Sequence, residues 1–181
     1  MNSPSTATEV PAAPGSGQGC VQAGQVPVVG IGASAGGFDP ICEFLASVAP
    51  ASGFAYVVVQ HRDPSQQSIL PQLLQRVTRM PVAELAHGMA VQADHVYVAP
   101  ASGVCGFDSG CFTVQPADGH RPIDSFFRAL AACCGEHAVG ITLSGAGADG
   151  TIGLAAIRDA GGLTMAQLPA SARFDPMPAS A

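Results

Sequence analysis

Val28-Val29-Gly30-Ile31-Gly32-Ala33-Ser34-Ala35-Gly36-Gly37 carries an apolar run directly into a serine on a glycine-flanked turn. The run from Val26 to Ile31 is short, rich in β-branched residues and interrupted by glycine, the pattern of a strand buried on both faces of a parallel sheet. Beyond the turn, Phe38, Ile41, Phe44, Leu45 and Val48 recur at the spacing of an amphipathic helix. Strand, G-x-S-x-G and helix form a context that holds a serine hydroxyl out on a tight bend. Free N–H groups at the helix start stand behind it, ready to meet a developing oxyanion. The same residues satisfy a rival. Gly30-x-Gly32-x-x-Ala35 matches the G-x-G-x-x-G/A fingerprint of a dinucleotide-binding turn, likewise a strand-to-helix corner in an α/β fold. Taken alone, the stretch leaves acyl transfer and dinucleotide binding level.

The 181-residue sequence has a formal net charge of −6, with seven arginines and no lysine. Without lysine there is neither a Walker A Gly-Lys-Ser/Thr nor the strand lysine of a protein kinase, so His61-Arg62-Asp63 does not read as a kinase catalytic loop. An acidic, lysine-free chain is also a poor match for nucleic acid. Met1 to Gln25 is dominated by Ser, Pro, Gly, Ala and Thr. It lacks the apolar content to offset the entropy of ordering, so disorder is expected over 1–25. It has neither the basic start nor the apolar middle of a secretory signal. Residues 26–181 are long enough for one domain with its own core, and no run approaches the ~18 apolar residues of a membrane span. A soluble, cytoplasmic domain is expected.

The six cysteines form no C-x-x-C pair. Cys42 and the Cys133-Cys134 pair fall in helical patterns, and the cysteines are expected to be reduced packing residues. Cys105 and Cys111 flank a turn at Asp108-Ser109-Gly110 and could approach each other, but a cytosolic setting argues against a bridge. His87, His95, His120 and His137 lie in polar stretches without metal-ligand spacing, and no metal is expected.

Phe54 to Gln60 is a second continuous apolar strand, running straight into His61. Ser65 to Val77 has helical spacing, with Pro71 near its first turn. Pro81 to Leu85, Val96 to Ala99, Val104 to Phe107 and Cys111 to Gln115 read as shorter strands with hairpin turns. Ile123 to Cys134 reads as a helix. Ala138 to Leu143 is a third buried strand, followed by Ser144-Gly145-Ala146-Gly147-Ala148-Asp149-Gly150. Thr151 to Ala160 is helical, Gly161-Gly162 ends it, and Leu163 to Ala166 begins a last strand. This alternation predicts an α/β domain: a doubly wound, mostly parallel sheet flanked by helices, with a β-hairpin excursion around residues 81–115.

Ligands of such sheets bind at the carboxyl ends of the strands. Ser34, His61 and Asp149 each stand just past the carboxyl end of a predicted buried strand. Three strands therefore deliver a nucleophile, a base and an orienting carboxylate to one edge. The coincidence favours a hydrolase over the dinucleotide reading, which leaves His61 and Asp149 without a role. The chain order Ser, His, Asp differs from the Ser, Asp, His of α/β-hydrolases, so that particular fold is not expected. Each residue also has a plainer reading: Ser34 as a helix N-cap, His61 as a strand-end side chain bonded to a loop carbonyl, and Asp149 as the N-cap of the helix at Thr151. Gly145, Gly147 and Gly150 suggest a loop whose backbone is closely approached. Arg121-Pro122-Ile123-Asp124 opens a helix, with Pro122 and Asp124 suited to its first turn and Arg121 a candidate to line the substrate cleft.

Taken together and in this order, four motifs resemble those of the CheB-type protein-glutamate methylesterases of bacterial chemotaxis. They are Val28 to Gly37, Val57-Val58-Val59-Gln60-His61, Arg121-Pro122-Ile123-Asp124, and Leu143-Ser144-Gly145-Ala146-Gly147-Ala148-Asp149-Gly150. The similarity runs from about Val26 to the end, and its 54–61 and 161–178 stretches look most like the version fused to a CheR-type methyltransferase. The resemblance implies hydrolysis of glutamyl methyl esters on the cytoplasmic helices of chemoreceptors, with methanol released, and deamidation of certain receptor glutamines. It implies a triad of Ser34, His61 and Asp149 and no cofactor. The backbone N–H of Ala146 would face the oxyanion, with alanine where many relatives have methionine, as would that of Ala35, where many have threonine. Methylated receptor helices and a CheR-type methyltransferase are the implied partners.

Two departures from the family's pattern shape the expectation. Two-component members carry an N-terminal receiver domain where this sequence has only its polar segment, so no phospho-regulation within this chain is expected. The last residues, Phe174 to Ala181, resemble the start of the family's final helix and then stop, which predicts a truncated C-terminal end with apolar surface uncovered. The reading from a different class is an inactive module that docks on receptor helices.

Overall fold

The computed structural model describes residues 26–62, 68–116 and 121–181; the segment 1–25 expected to be disordered lies outside them. The strands are β1 (Val28–Ala33), β2 (Ala55–Gln60), β3 (Val82–Glu84), β4 (His95–Val98), β5 (Gly103–Asp108), β6 (Cys111–Pro116), β7 (Ala138–Thr142) and β8 (Leu163–Ala166). The helices are α1 (Phe38–Ser47), α2 (Leu70–Leu74), α3 (Pro122–Cys134), α4 (Thr151–Asp159) and α5 (Pro176–Ser180). Six strands form one sheet in the order β3-β4-β2-β1-β7-β8. Every neighbouring pair in it is parallel. The chain leaves β1 towards β2 on one side and returns to β7 on the other, so the topological switch point lies between β1 and β7.

Alternate residues of the buried strands face two separate cores. Val28, Val57 and Val59 pack with Phe126, Phe127 and Leu130 of α3 and Leu154 and Ile157 of α4. Val29, Ile31, Tyr56 and Val58 pack with Ile41 and Leu45 of α1 and Leu70 and Leu74 of α2. On the first face the glycines of β1 have a packing role. A Cβ on Gly30 would meet Phe127 Cε1 at 2.9 Å, and one on Gly32 would meet Ile123 Cγ2 at 2.4 Å. The space that a dinucleotide fingerprint keeps open for a pyrophosphate is filled here by the side chains of α3, which counts against that reading.

Three sequence expectations are corrected. The excursion from the sheet is only the β5–β6 hairpin, antiparallel over residues 103–116, because β3 and β4 pair in parallel inside the main sheet. The hairpin turns at Ser109 (φ 50°) and Gly110 (φ 82°), two left-handed positions that match the twist of the flanking strands. The helix expected over 65–77 is confined to α2, and 65–67 lie outside the described residues. Its end has a visible cause: the Gln75 amide donates to Met80 O at 3.1 Å and its oxygen accepts the Val82 N–H at 2.9 Å, curling residues 75–82 into a turn. Finally, Cys111 is disulfide-bonded, so the expectation of reduced cysteines fails there. Cys105 is a free thiol, as are Cys42, Cys133 and Cys134. The hairpin register places Cys105 opposite Val114 and Cys111 opposite Asp108, which keeps the two cysteines apart. Burial pushes the Cys105 and Cys134 thiols up to about 12, in keeping with a packing role.

At the far edge of the sheet, β8 leaves Leu163 and Met165 exposed, with Leu168 just beyond it. Around the sheet centre the packing is tight. A Cβ on Gly153 would lie 2.5 Å from Phe127 Cβ and 3.1 Å from both Cα and O of Asp124, so α3 and α4 touch through that glycine. Glycine to alanine inside a helix ordinarily stabilises by about 1 kcal/mol. Here two of the three neighbours are backbone, and overpacking costs about 1–3 kcal/mol. Gly153→Ala is therefore expected to lower the denaturant midpoint; an unchanged or raised midpoint would refute the close α3–α4 contact.

Candidate active site

Ser34 is the first residue past β1. The strand ladder extends one step beyond the sheet to hold it: Ser34 N–H donates to Ser144 O at 3.0 Å, and the Ser34 carbonyl accepts the Gly37 N–H at 3.0 Å. Gly36 completes the turn at φ +70°, a left-handed conformation that side chains rarely adopt. His61 leaves β2 at the same level, because Ala33 pairs with Gln60 and His61 N–H donates to Ala33 O at 3.1 Å. The parallel register thus sets Ser34 and His61 side by side. The loop after β7 closes in from the other flank, where a Cβ on Gly145 would stand 3.0 Å from Ser34 Cβ.

Asp149 sits on that loop, 6% exposed, with its Oδ2 2.9 Å from His61 Nε2. The approach is oblique, so the ring N–H is in contact with the carboxylate without good hydrogen-bond alignment. Aligned bonds reach Asp149 from the start of α3: Ile123 N–H donates to Oδ2 at 3.0 Å and Asp124 N–H to Oδ1 at 2.9 Å. Asp124 does the reverse. Its Oδ1 accepts the N–H of Gly150 at 2.9 Å and of Gly153 at 2.8 Å, at the start of α4. Each aspartate caps the other's helix. The sequence reading had Asp149 as a cap of its own helix and Asp124 as a charge suited to its own first turn. Both are capping residues, but across helices, a pairing that linear spacing does not reveal.

Arg121 completes this knot. Its guanidinium donates to Ala148 O at 2.8 Å, and its Nε lies 2.9 Å from Asp124 Oδ2 and 3.9 Å from Asp149 Oδ1. Half-exposed, it braces the loop that carries Asp149. Arg62, next to His61, donates to Ala99 O at 2.6 Å and to the Ser68 hydroxyl, which ties down the segment after β2. Ala35 and Ala146 are exposed, and their N–H groups donate to no acceptor among the described residues. The Ser34 hydroxyl likewise bonds to no described residue. The residue that sequence reading missed is Ser144, fully buried, which bonds to the turn carrying Ser34 and to the segment before α5.

The Asp149 carboxyl is held below its ordinary value of 3.8. Burial pushes it up, but the His61 ring and the N–H groups of Asp124 and Ile123 outweigh that and favour the charged form. Because folding lowers this pKa, the unfolded chain binds the proton more readily. The stabilisation is complete above about pH 4 and drains away as pH falls through the folded value. The amide that replaces the carboxyl in D149N does not titrate. The thermal midpoint of the wild type should therefore exceed that of D149N at about pH 5, with the gap narrowing towards about pH 3. A gap constant across that range would contradict the assignment.

Comparison with known proteins follows the same lines. Residues 29–181 match the CheB methylesterase family. A protein-glutamate methylesterase/protein-glutamine glutaminase of Paraburkholderia xenovorans is 35% identical over 159 residues, 83% of this chain and 44% of the relative. One from Pseudomonas aeruginosa is 35% identical over 162 residues, 85% of this chain and 46% of the relative. The chain thus spans less than half the length of these curated relatives. An uncharacterized 104.1 kDa protein of Rhodobacter capsulatus is 42% identical over 112 residues, 60% of this chain and 12% of that protein. The crystal structure of the Thermotoga maritima CheB methylesterase catalytic domain superposes with a TM-score of 0.80 at 26% identity, covering 85% of this chain and 86% of that one. With the family's pattern spanning both its sheet and the loops at the sheet's carboxyl edge, the chain belongs to the CheB methylesterase family.

Proposed function

We propose that this domain is a serine esterase that hydrolyses methyl esters of glutamate side chains on chemoreceptor helices, releasing methanol, and that it deamidates receptor glutamines at the same site. The observation that carries the reading is the 2.9 Å contact of His61 Nε2 with Asp149 Oδ2, beside a serine one strand away. With Nε2 turned to the carboxylate, Nδ1 is the ring nitrogen left to take the Ser34 proton.

In this mechanism Ser34 Oγ attacks the side-chain acyl carbon while its proton passes to His61. Charge gathers on the former carbonyl oxygen, and the undonated N–H groups of Ala146 and Ala35 are the donors on hand to meet it. His61 returns the proton to the departing methanol, or to ammonia when the substrate is a glutamine. Water, deprotonated by His61, then cleaves the acyl-enzyme and regenerates Ser34. Asp149 stabilises the imidazolium formed in each half-reaction and holds the ring in one tautomer. The partners of this reading are methylated receptor cytoplasmic helices, with a CheR-type methyltransferase supplying the ester, and its setting is the cytoplasm. No described helix is long and apolar enough to cross a membrane.

The test is methanol release from a methylated chemoreceptor cytoplasmic fragment, with Ser34→Ala run in parallel. Loss of the nucleophile should lower turnover by roughly 10⁶-fold, His61→Ala by a similar factor, and the double variant little further. Retention of more than about a tenth of the activity in Ser34→Ala would overturn the assignment. No methanol from the folded wild type would favour a docking module or another ester.

A further inference from the structure

Ser144 reaches the candidate nucleophile from two directions. Its carbonyl accepts the Ser34 N–H at 3.0 Å. Its hydroxyl lies 3.0 Å from the Ala35 carbonyl, which no other described group engages. One side chain and its own backbone therefore grip the Ala33–Ser34 and Ala35–Gly36 peptide groups, which flank the peptide joining Ser34 to Ala35.

The remaining bonds of Ser144 show where this grip is anchored. The hydroxyl oxygen accepts the Phe174 N–H at 3.0 Å. A hydroxyl has one proton to give, and Ala35 O, at 3.0 Å and without another donor among the described residues, takes it in preference to Phe174 O, which lies at 3.3 Å and already has the Gly145 N–H. The Ser144 N–H donates to Gln167 Oε1 at 2.8 Å. From Phe174 the chain continues to Met177, whose N–H donates to Gly145 O at 3.1 Å and whose side chain is fully buried. Ser144 thus joins three parts of the chain: the Ser34 turn, the loop bearing Ala146 and Asp149, and the segment leading into α5.

We infer that Ser144 is a positioning residue for the reaction, its hydroxyl fixing the Ser34–Ala35 turn against the Ala146 loop through the segment at Phe174. The inference rests on the reading of Ser34 as nucleophile. Removing the hydroxyl leaves the Ala35 carbonyl and the Phe174 N–H without their partner and frees the turn to rotate about Gly36. A displacement of about 1 Å at a reacting centre costs up to about 100-fold in rate, so the loss falls on the chemical step rather than on substrate binding.

The experiment compares the wild type, S34A, S144A and a packing control, V96A, which thins the core at fully buried Val96 near the opposite end of the sheet. Two rates are read at a temperature where all four are folded. One is phosphonylation by a fluorophosphonate, in which Ser34 Oγ bonds phosphorus, fluoride leaves and the proton passes to His61. The other is methanol release, resolved into kcat and KM. S144A should lose about 10- to 100-fold in phosphonylation and in kcat, with KM within about twofold, while V96A, of comparable thermal midpoint, keeps wild-type rates. Rates in S144A equal to those in V96A overturn the proposal. If S144A does not fold, S144C replaces it, keeping the shape with a weak donor; wild-type rates in S144C overturn the proposal equally. A wild type that is not phosphonylated, or an S34A that reacts as fast, overturns instead the reading of Ser34 as nucleophile, and this proposal with it.

Discussion

Two helices begin side by side inside this protein, and the N–H groups at their heads must find acceptors away from water. An unpaired buried N–H costs about 1–3 kcal/mol. Asp149, just ahead of α4, accepts from Ile123 and Asp124 of α3, while Asp124 accepts from Gly150 and Gly153 of α4. Neither helix can shift without stripping the other of its cap. This exchange fixes the loop after β7, and with it the carboxylate that meets His61. The orientation of Asp149 is therefore a consequence of helix packing, and Arg121 reinforces it from the outer side.

Such an exchange requires α3 and α4 to lie very close to each other and to the sheet, and the small residues make that possible. Gly30 and Gly32 let α3 settle onto β1, Gly140 lets Leu154 and Ile157 of α4 settle onto β7, and Gly153 lets the helices touch. A glycine that reads as room for a ligand is occupied by phenylalanine and isoleucine. Close approach leaves the candidate site clear, because Ser34, His61 and Asp149 stand beyond the strands, at the carboxyl edge of the sheet next to the β1–β7 switch point. The apolar layer below is close-packed, and the polar loops above take their positions from it.

The C-terminal part of the chain enters the same architecture from the opposite face of the Ser34 turn. Phe174 and Met177 bond to Ser144 and Gly145, so residues nearly at the end of the sequence support the turn near its beginning. Three segments far apart in sequence meet at one buried hydroxyl. A polar group so placed is worth retaining only when all its partners are present, because a half-satisfied network destabilises more than an apolar one.

Most of the elements were legible because their signals are local. The apolar runs at 28–33, 55–60 and 138–142, the helical spacing after each turn and the Asp108-Ser109-Gly110 turn all lie within a few residues of the structure they specify. The alternation of those runs with helices also determined that Ser34, His61 and Asp149 would follow strand ends, hence one edge of a parallel sheet. What only the tertiary structure decided is which partner each polar group finds. Asp149 reads as the cap of its own helix and Asp124 as a charge suited to its own first turn, yet each caps the other's helix. Ser144 stands in one of the motifs that carry the family resemblance but has no role assigned by sequence, and Cys105 and Cys111 look like neighbours until the strand register separates them. Secondary structure follows from backbone and side-chain preferences that act over one or two turns of chain. Pairing of buried polar groups depends on which surfaces the folded core brings within 3 Å, and a linear sequence does not record that distance.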